Sequence, residues 1–144
     1  MTTASSAAAE TTAKKVSRIA LGAIMIFAGI SHLTFARAEF RAQVPDFVPL
    51  PTDVTVLASG GVEIALGAAM ILLQNRRAAV GLVLAAFFVV IFPGNIAQWV
   101  NHRDAFGLNS DRARFIRLFF QPVLIAWALW STGAWRALSS RRQA

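Results

Sequence analysis

Residues 54 to 73 read VTVLASGGVEIALGAAMILL and contain a single ionisable side chain, Glu63. A transmembrane helix needs about 20 predominantly apolar residues, and this stretch supplies them. Strands of a membrane barrel alternate between apolar and polar residues, whereas this segment is apolar almost throughout. The segment therefore predicts a helix that crosses a lipid bilayer and carries one carboxyl group near its midpoint.

Three more apolar runs accompany this one, at residues 16–35, 78–100 and 114–135, and Pro93 interrupts the third of them. The chain of 144 residues is 56% hydrophobic and only 15% charged, whereas an ordinary soluble domain is roughly 25% charged. Helices satisfy every backbone hydrogen bond within lipid. We predict an all-α membrane protein, a four-transmembrane-helix bundle over residues 16–136, between a disordered tail at 1–15 and a basic C-terminal tail at 137–144.

The basic residues sit at the ends of the apolar runs rather than in a soluble patch with aromatic residues. The net charge of +7 therefore indicates helix anchoring and topology, and we expect no nucleic-acid partner. If both termini are cytoplasmic, eight basic residues lie inside and six lie outside, which favours this orientation mildly. The inner set is Lys14, Lys15, Arg18, Arg76, Arg77, Arg136, Arg141 and Arg142. The expected location is the bacterial cytoplasmic membrane, with several passes.

The first apolar run also has features of a signal peptide. Basic residues precede it, and Ala36-Arg37-Ala38 has the small-x-small form of a cleavage site. The length of the run and the polar His32 near its end favour a retained helix instead. The chain has no cysteine, which excludes disulfides, thiol redox chemistry and thiolate metal sites, and no metal site is expected.

One face of each predicted helix carries small or polar residues. Gly60, Glu63 and Gly67 share a face at helical spacing, as do Gly22, Met25, Gly29 and His32 in the first run. An ionisable group at the bilayer centre costs at least about 2.5 kcal/mol and normally faces the bundle interior. We therefore expect a polar cluster that narrows from the outer surface down to Glu63. Its ligand-binding candidates are His32, Glu63, Asn95, Gln98, Arg117 and Gln121.

A purely structural role competes with this interpretation. Polar groups within a membrane also hold helices together, at about 0.6 kcal/mol per hydrogen bond on average, and Glu63 could pair with His32 or Arg117 for that purpose alone. Arg114 fits anchoring at the membrane interface better than catalysis. The proline-rich segment 44–51 is too apolar for a solvated loop, and we expect it on the membrane surface or folded partly over the bundle.

Several motifs resemble the DoxX family of small bacterial membrane proteins. They are Gly29-Ile30-Ser31-His32-Leu33, Val44-Pro45 with Leu50-Pro51, Ser59-Gly60-Gly61-Val62-Glu63-Ile64, Phe92-Pro93-Gly94-Asn95, and Arg117 followed by Gln121-Pro122. The resemblance covers roughly residues 16 to 136. It implies a four-helix membrane bundle, a loose association with redox systems, and a shared polar site at the matching positions. The cysteine pair of some redox relatives is absent here.

These observations leave three functional hypotheses open. The first is an accessory subunit of a membrane redox or oxidative-stress system, with a redox enzyme as partner and a quinone or similar lipophilic molecule in the polar cavity. The second is an intramembrane enzyme on a lipid-soluble substrate, with Glu63 as acid or base and His32 assisting. The third is a small transporter, which needs a homo-oligomer because four helices seldom enclose a pathway.

Overall fold

A computed structural model describes residues 9 to 143, and within that range the chain is entirely helical apart from its turns and loops. Four segments are long and apolar enough to cross a membrane: Thr12–Leu33, Thr52–Leu72, Gln74–Val100 and Asp111–Thr132. The helices are α1 (Thr12–Leu33), α2 (Arg37–Arg41), α3 (Thr52–Leu72), α4 (Arg77–Val100), α5 (Asp111–Leu118), α6 (Phe120–Thr132) and α7 (Ala134–Arg142). A single 3₁₀ turn, Gln74–Arg76, joins α3 to α4.

Helices α1 and α3 pack closely because glycines face each other at two levels. A Cβ atom added to Gly22 would lie 2.8 Å from the carbonyl oxygen of Gly67, and one on Gly67 would lie 2.6 Å from that of Gly22. Gly29 and Gly60 form the second pair, with corresponding distances of 2.5 and 3.0 Å. Small residues let helix backbones approach closely within a membrane. The predicted inward faces of both helices are therefore confirmed, and all of their residues are buried.

The second close pair consists of α4 and α6. Gly81 of α4 lies against the Thr132 side chain, so a Cβ atom there would clash with it. Leu84 and Phe88 of α4 join Ala128 and Leu129 of α6 in the main buried apolar cluster. The bundle is thus built from two helix pairs, which meet along the contact between α1 and α6.

The first helix begins four residues before the start expected from hydropathy. Thr11 caps it by accepting a hydrogen bond from the backbone N–H of Lys14 at 3.2 Å, so residues 12–15 belong to the helix rather than to a tail. Arg18 is buried, bonds to the carbonyl oxygen of Met70 at the end of α3, and pairs with Glu10 at 2.7 Å. Residues 1–8 of the predicted disordered tail lie outside the described residues.

The fourth span is interrupted where Pro122 removes a backbone donor. The carbonyl of Leu118 loses its usual partner, α5 ends at that residue, and α6 starts at Phe120. Gly133 adopts a left-handed conformation with φ of 75° and separates α6 from α7. The basic stretch predicted as a tail is thus helical as far as Arg142. Pro93, in contrast, does not break α4, which continues to Val100.

The segment between α1 and α3 folds back across one end of the bundle. Gly94 of α4 leaves room for the backbone of Gln43, whose side chain donates to Gln98 at 3.1 Å. Arg103, in the loop after α4, donates to the carbonyl of Val44 at 2.9 Å and pairs with Asp46 at 2.7 Å. Residues 42–48 therefore form a strap over this end, one of the two placements expected from the sequence.

Candidate functional site

A cavity of about 560 Å³ lies between the two helix pairs, in the half of the bundle under the strap. Most of its wall is apolar, with α1, α3, α4 and α6 all contributing side chains. Phe47 of the strap and Val90 of α4, both largely exposed, stand at its edge. Five of the predicted site residues line this one cavity: His32, Glu63, Asn95, Arg117 and Gln121.

His32 and Glu63 meet at the junction of α1 and α3. The Nδ1 atom of His32 lies 2.9 Å from Oε2 of Glu63 and 2.8 Å from the carbonyl oxygen of Ala28. Side chains on a helix lean toward its N-terminus, so those of two antiparallel helices lean toward each other, which brings these residues together from different levels. Because a carbonyl accepts only, Nδ1 carries the proton that it donates to Ala28. Phe40 stacks on the imidazole, with ring centroids 3.3 Å apart.

The Oε2 atom of Glu63 is buried and has no hydrogen-bond partner of good geometry among residues 9–143. The 2.9 Å contact with His32 lacks the geometry of a directed hydrogen bond, since the Nδ1 proton points to Ala28. A buried carboxylate oxygen without a donor is costly, by about 1–3 kcal/mol or more. This atom therefore retains capacity to accept a hydrogen bond from a molecule in the cavity.

Two buried amides lie on the opposite wall. Asn95 of α4 donates to the side-chain oxygen of Gln121 at 3.2 Å, and Gln121 donates to the carbonyl of Phe88 at 2.7 Å. That carbonyl is next to the Val89 carbonyl, which Pro93 deprives of its usual donor. The chain of bonds fixes both amides and joins α4 to α6, which is the structural role that sequence left open for Asn95.

Arg117 enters the cavity from the end of α5. Its Nη1 atom is buried and finds no hydrogen-bond acceptor in the described part of the chain, while the guanidinium carbon lies 5.9 Å from the ring centroid of Phe120. The side chain makes no ion pair with Glu63, although both border the same space. The cavity thus has a hydrogen-bond donor on one wall and an acceptor on the other, neither of them used.

Gln98 does not line the cavity, although its spacing from Asn95 placed it among the ligand candidates. Its amide donates to the carbonyl oxygens of Arg103 at 3.2 Å and Ala105 at 3.4 Å, and accepts from Gln43. These bonds hold the strap and the following loop to α4. Helical periodicity identified the correct face, but the fold of the loop decides what that face meets.

Two arginines make structural contacts beyond the anchoring expected of them. Arg18 was counted as an interfacial charge, yet it caps the end of α3. Arg114 is buried at 6% exposure and binds Asp104 at 2.6 Å, Asp111 at 2.8 Å and the carbonyl of Leu108. The burial of Arg18 could have been predicted, because this residue lies inside an apolar run. In the described residues no group of three His, Cys, Asp or Glu side chains could hold a metal ion.

Comparison with known proteins gives one match. No curated protein and no solved structure matches the chain. A family model described as a domain of unknown function, DUF8561, matches residues 21–132. That range runs from the middle of α1 to the end of α6 and includes every residue that lines the cavity. The chain therefore belongs to the DUF8561 family.

Proposed function

We propose that this protein binds a quinone or a similar lipophilic molecule in the cavity between its helix pairs, as an accessory subunit of a membrane redox or oxidative-stress system. The observation that carries the proposal is the pair of unused polar atoms in one apolar cavity, Oε2 of Glu63 and Nη1 of Arg117. A molecule with a donor at one edge and an acceptor at the other satisfies both.

The shape and chemistry of the cavity fit such a molecule. A volume of about 560 Å³ is within the roughly 300–1,000 Å³ of small-molecule sites, which are mostly apolar with a few convergent polar groups. A quinone ring has polar oxygens on opposite edges of an apolar plane, so a carbonyl can accept from Arg117. The reduced form has hydroxyl groups, one of which can donate to Glu63.

The route of entry follows from which parts of the cavity are covered and which are exposed. The strap covers one end and is held by Gln98 and Arg103, while exposed apolar residues such as Val90 stand at the side. A lipid-soluble molecule therefore enters laterally from the bilayer. The resemblance to the DoxX family supports the redox association, and the distribution of basic residues supports cytoplasmic termini in a bacterial inner membrane.

The binding proposal is tested with purified protein in lipid nanodiscs and a short-chain benzoquinol, the reduced form that can both donate to Glu63 and accept from Arg117, measured by the rise in thermal unfolding temperature. Glu63→Gln and Arg117→Gln should each weaken binding about tenfold or more, because a hydrogen bond to a charged group contributes about 1.5–3 kcal/mol. Glu39→Gln and Arg112→Gln are the matched controls, since both side chains are exposed and outside the cavity. Equal binding in all four variants would refute a site in this cavity.

The accessory role is tested separately, by mild affinity purification from native membranes followed by mass spectrometry. A redox enzyme recovered in stoichiometric amount supports it. Recovery of the protein with bound quinone and no enzyme would contradict the subunit role and leave the binding site in place.

The second candidate is an enzyme on a lipid-soluble substrate, and the contact between His32 and Glu63 favours it. In that mechanism the carboxylate of Glu63 accepts a proton from a bound hydroxyl or carbon acid. The adjacent imidazole stabilises the negative charge of Glu63 before the transfer. Activity on a substrate found with the purified protein should then fall steeply in Glu63→Gln. A Glu63→Gln protein that binds weakly but turns over at the normal maximal rate would exclude this role.

A further inference from the structure

A second cavity, of about 510 Å³, lies at the end of the bundle opposite the strap. The start of α1, the turn between α3 and α4, and the junction of α6 with α7 surround it. These three segments come together because the spans alternate in direction. The cavity therefore lies at one membrane surface, some distance from the site described above, and shares no lining residue with it.

The lining of this cavity is strongly basic. Lys14, Arg77 and Arg136 border it from three different segments. Glu10 is the acidic residue among its lining, and its charge is offset by Arg18 at 2.7 Å. The pKa of the Glu10 carboxyl is lowered, first by the hydrogen bond from Arg18 and also by the charges of Arg77 and Lys15. The local field is thus positive and suits an anion.

A hydrogen-bonding group without a partner lies in the same cavity. Ser131 lines it and is fully buried, and its hydroxyl has no partner within residues 9–143. The neighbouring Thr132, in contrast, donates to the carbonyl of Ala128 at 2.6 Å. A buried hydroxyl without a partner is a group that a ligand oxygen can satisfy.

Two tryptophans of the kind found at membrane interfaces stand near this cavity. The Nζ atom of Lys14 lies 5.8 Å from the ring centroid of Trp130, which is about half exposed. Trp135, in the first turn of α7, is largely exposed as well. Tryptophan is enriched at the level of the lipid headgroups, so acyl chains can extend along the helices below these rings.

We propose that the cavity lined by Lys14, Arg77, Ser131 and Arg136 binds the phosphate group of an anionic phospholipid. Basic pockets between transmembrane helices at the membrane surface suit such headgroups. The phosphate chemistry alone also fits a free phosphate ion. The adjacent tryptophans and the membrane-level position favour the lipid.

The test measures thermal unfolding of the detergent-purified protein with added phosphatidylglycerol, phosphatidylcholine or inorganic phosphate. Phosphatidylglycerol should stabilise the protein at lower concentration than phosphatidylcholine. A double variant, Lys14→Gln with Arg136→Gln, should require roughly tenfold to thirtyfold more phosphatidylglycerol, since each basic group near the surface contributes about fivefold.

Arg141→Gln with Arg142→Gln is the matched control, because it removes the same charge at the same end of the bundle from exposed positions outside the cavity. An equal effect of both double variants would show unspecific surface attraction and overturn the proposal. Stabilisation by inorganic phosphate alone, to the extent given by the lipid, would overturn the assignment to a lipid. Ser131→Ala should weaken lipid stabilisation while leaving the lipid-free protein at least as stable, because it removes an unsatisfied hydroxyl.

Discussion

Replacement of Gly60 by alanine should separate α1 from α3 and disturb the His32–Glu63 contact. A Cβ atom at this position would lie 2.7 Å from the Cβ of His32 and 3.0 Å from the carbonyl oxygen of Gly29. Ordinary contacts begin at 3.4 Å, so the first distance is short by about 0.7 Å in a tightly packed interface. Neither atom is the far end of a flexible side chain, and the helices must therefore move apart.

The magnitude follows from the cost of overpacking, which is about 1–3 kcal/mol for an added methyl group in a well-packed interior. A shift of the same size carried to the imidazole would lengthen the 2.9 Å distance between Nδ1 and Oε2 to roughly 3.6 Å, so the two groups would lose their close contact. Gly60→Ala should thus lower both the stability of the bundle and its affinity for a quinone.

Gly61→Ala is a matched control from the next position of the same helix. Its added Cβ atom meets nothing within 4 Å, and alanine is a better helix former than glycine by up to about 1 kcal/mol. This variant should be neutral or slightly more stable. The assay is reversible unfolding in mixed micelles with increasing denaturing detergent, followed by circular dichroism. Equal stability of the two variants would refute close glycine packing between α1 and α3.

Three further perturbations address the framework around the site. Gln98→Leu should destabilise the bundle by about 1–3 kcal/mol, because it leaves loop carbonyls without donors. It should weaken quinol binding less than Glu63→Gln does, since Gln98 reaches the cavity only through the strap, and an equal loss would place Gln98 in the site. Arg114→Met should accelerate hydrogen exchange in the loop 101–110, measured by mass spectrometry, and unchanged exchange would contradict its role as a clamp. The hydrogen bond from Arg18 is the main cause that lowers the pKa of the Glu10 carboxyl from its ordinary value of 4.5. The Glu10–Arg18 pair therefore stabilises the fold fully above pH 4.5, and this stabilisation is lost as the pH falls through the lowered pKa. Glu10→Gln should therefore flatten the fall in unfolding temperature below about pH 5, and an unaltered profile would show that other groups cause it.

The buried face of a single helix could be predicted from the spacing of its residues, because a polar group that faces lipid is energetically costly. Glu63 had to face the interior, and Gly60 and Gly67 follow it at helical spacing, so the buried face of α3 was predictable. The same reasoning was correct for the face of α1 that carries Gly29 and His32. Local rules of this kind need no knowledge of which helix is the neighbour.

Contacts between distant segments could not be predicted in this way. Gln98 lies on the same helical face as Asn95, but Gln98 bonds to the strap whereas Asn95 lines the cavity. The partner of Glu63 also stayed open between His32 and Arg117, since both fit the charge. Three-dimensional packing decides these cases, because it depends on loop paths that carry no periodic signal.

The interruption of the fourth span at Phe119 was also not predicted from hydropathy. Hydropathy gives one continuous fourth span, whereas the missing donor at Pro122 splits it into α5 and α6. Pro93 lies within α4 and leaves that helix continuous. Identical local chemistry thus has different outcomes, since α5 is held separately by the loop through Arg114.

The two helix pairs are joined differently at their two ends. The short turn Gln74–Arg76 connects them at one end, and Trp127 of α6 donates to the Ser17 hydroxyl of α1 at 2.7 Å. At the other end the strap spans a cavity. A rotation of one pair against the other about the Gln74–Arg76 turn would widen the cavity most at the strap end. Such a rotation would leave the glycine contacts within each pair unchanged, but it would have to break the bonds that Gln43 and Arg103 make there.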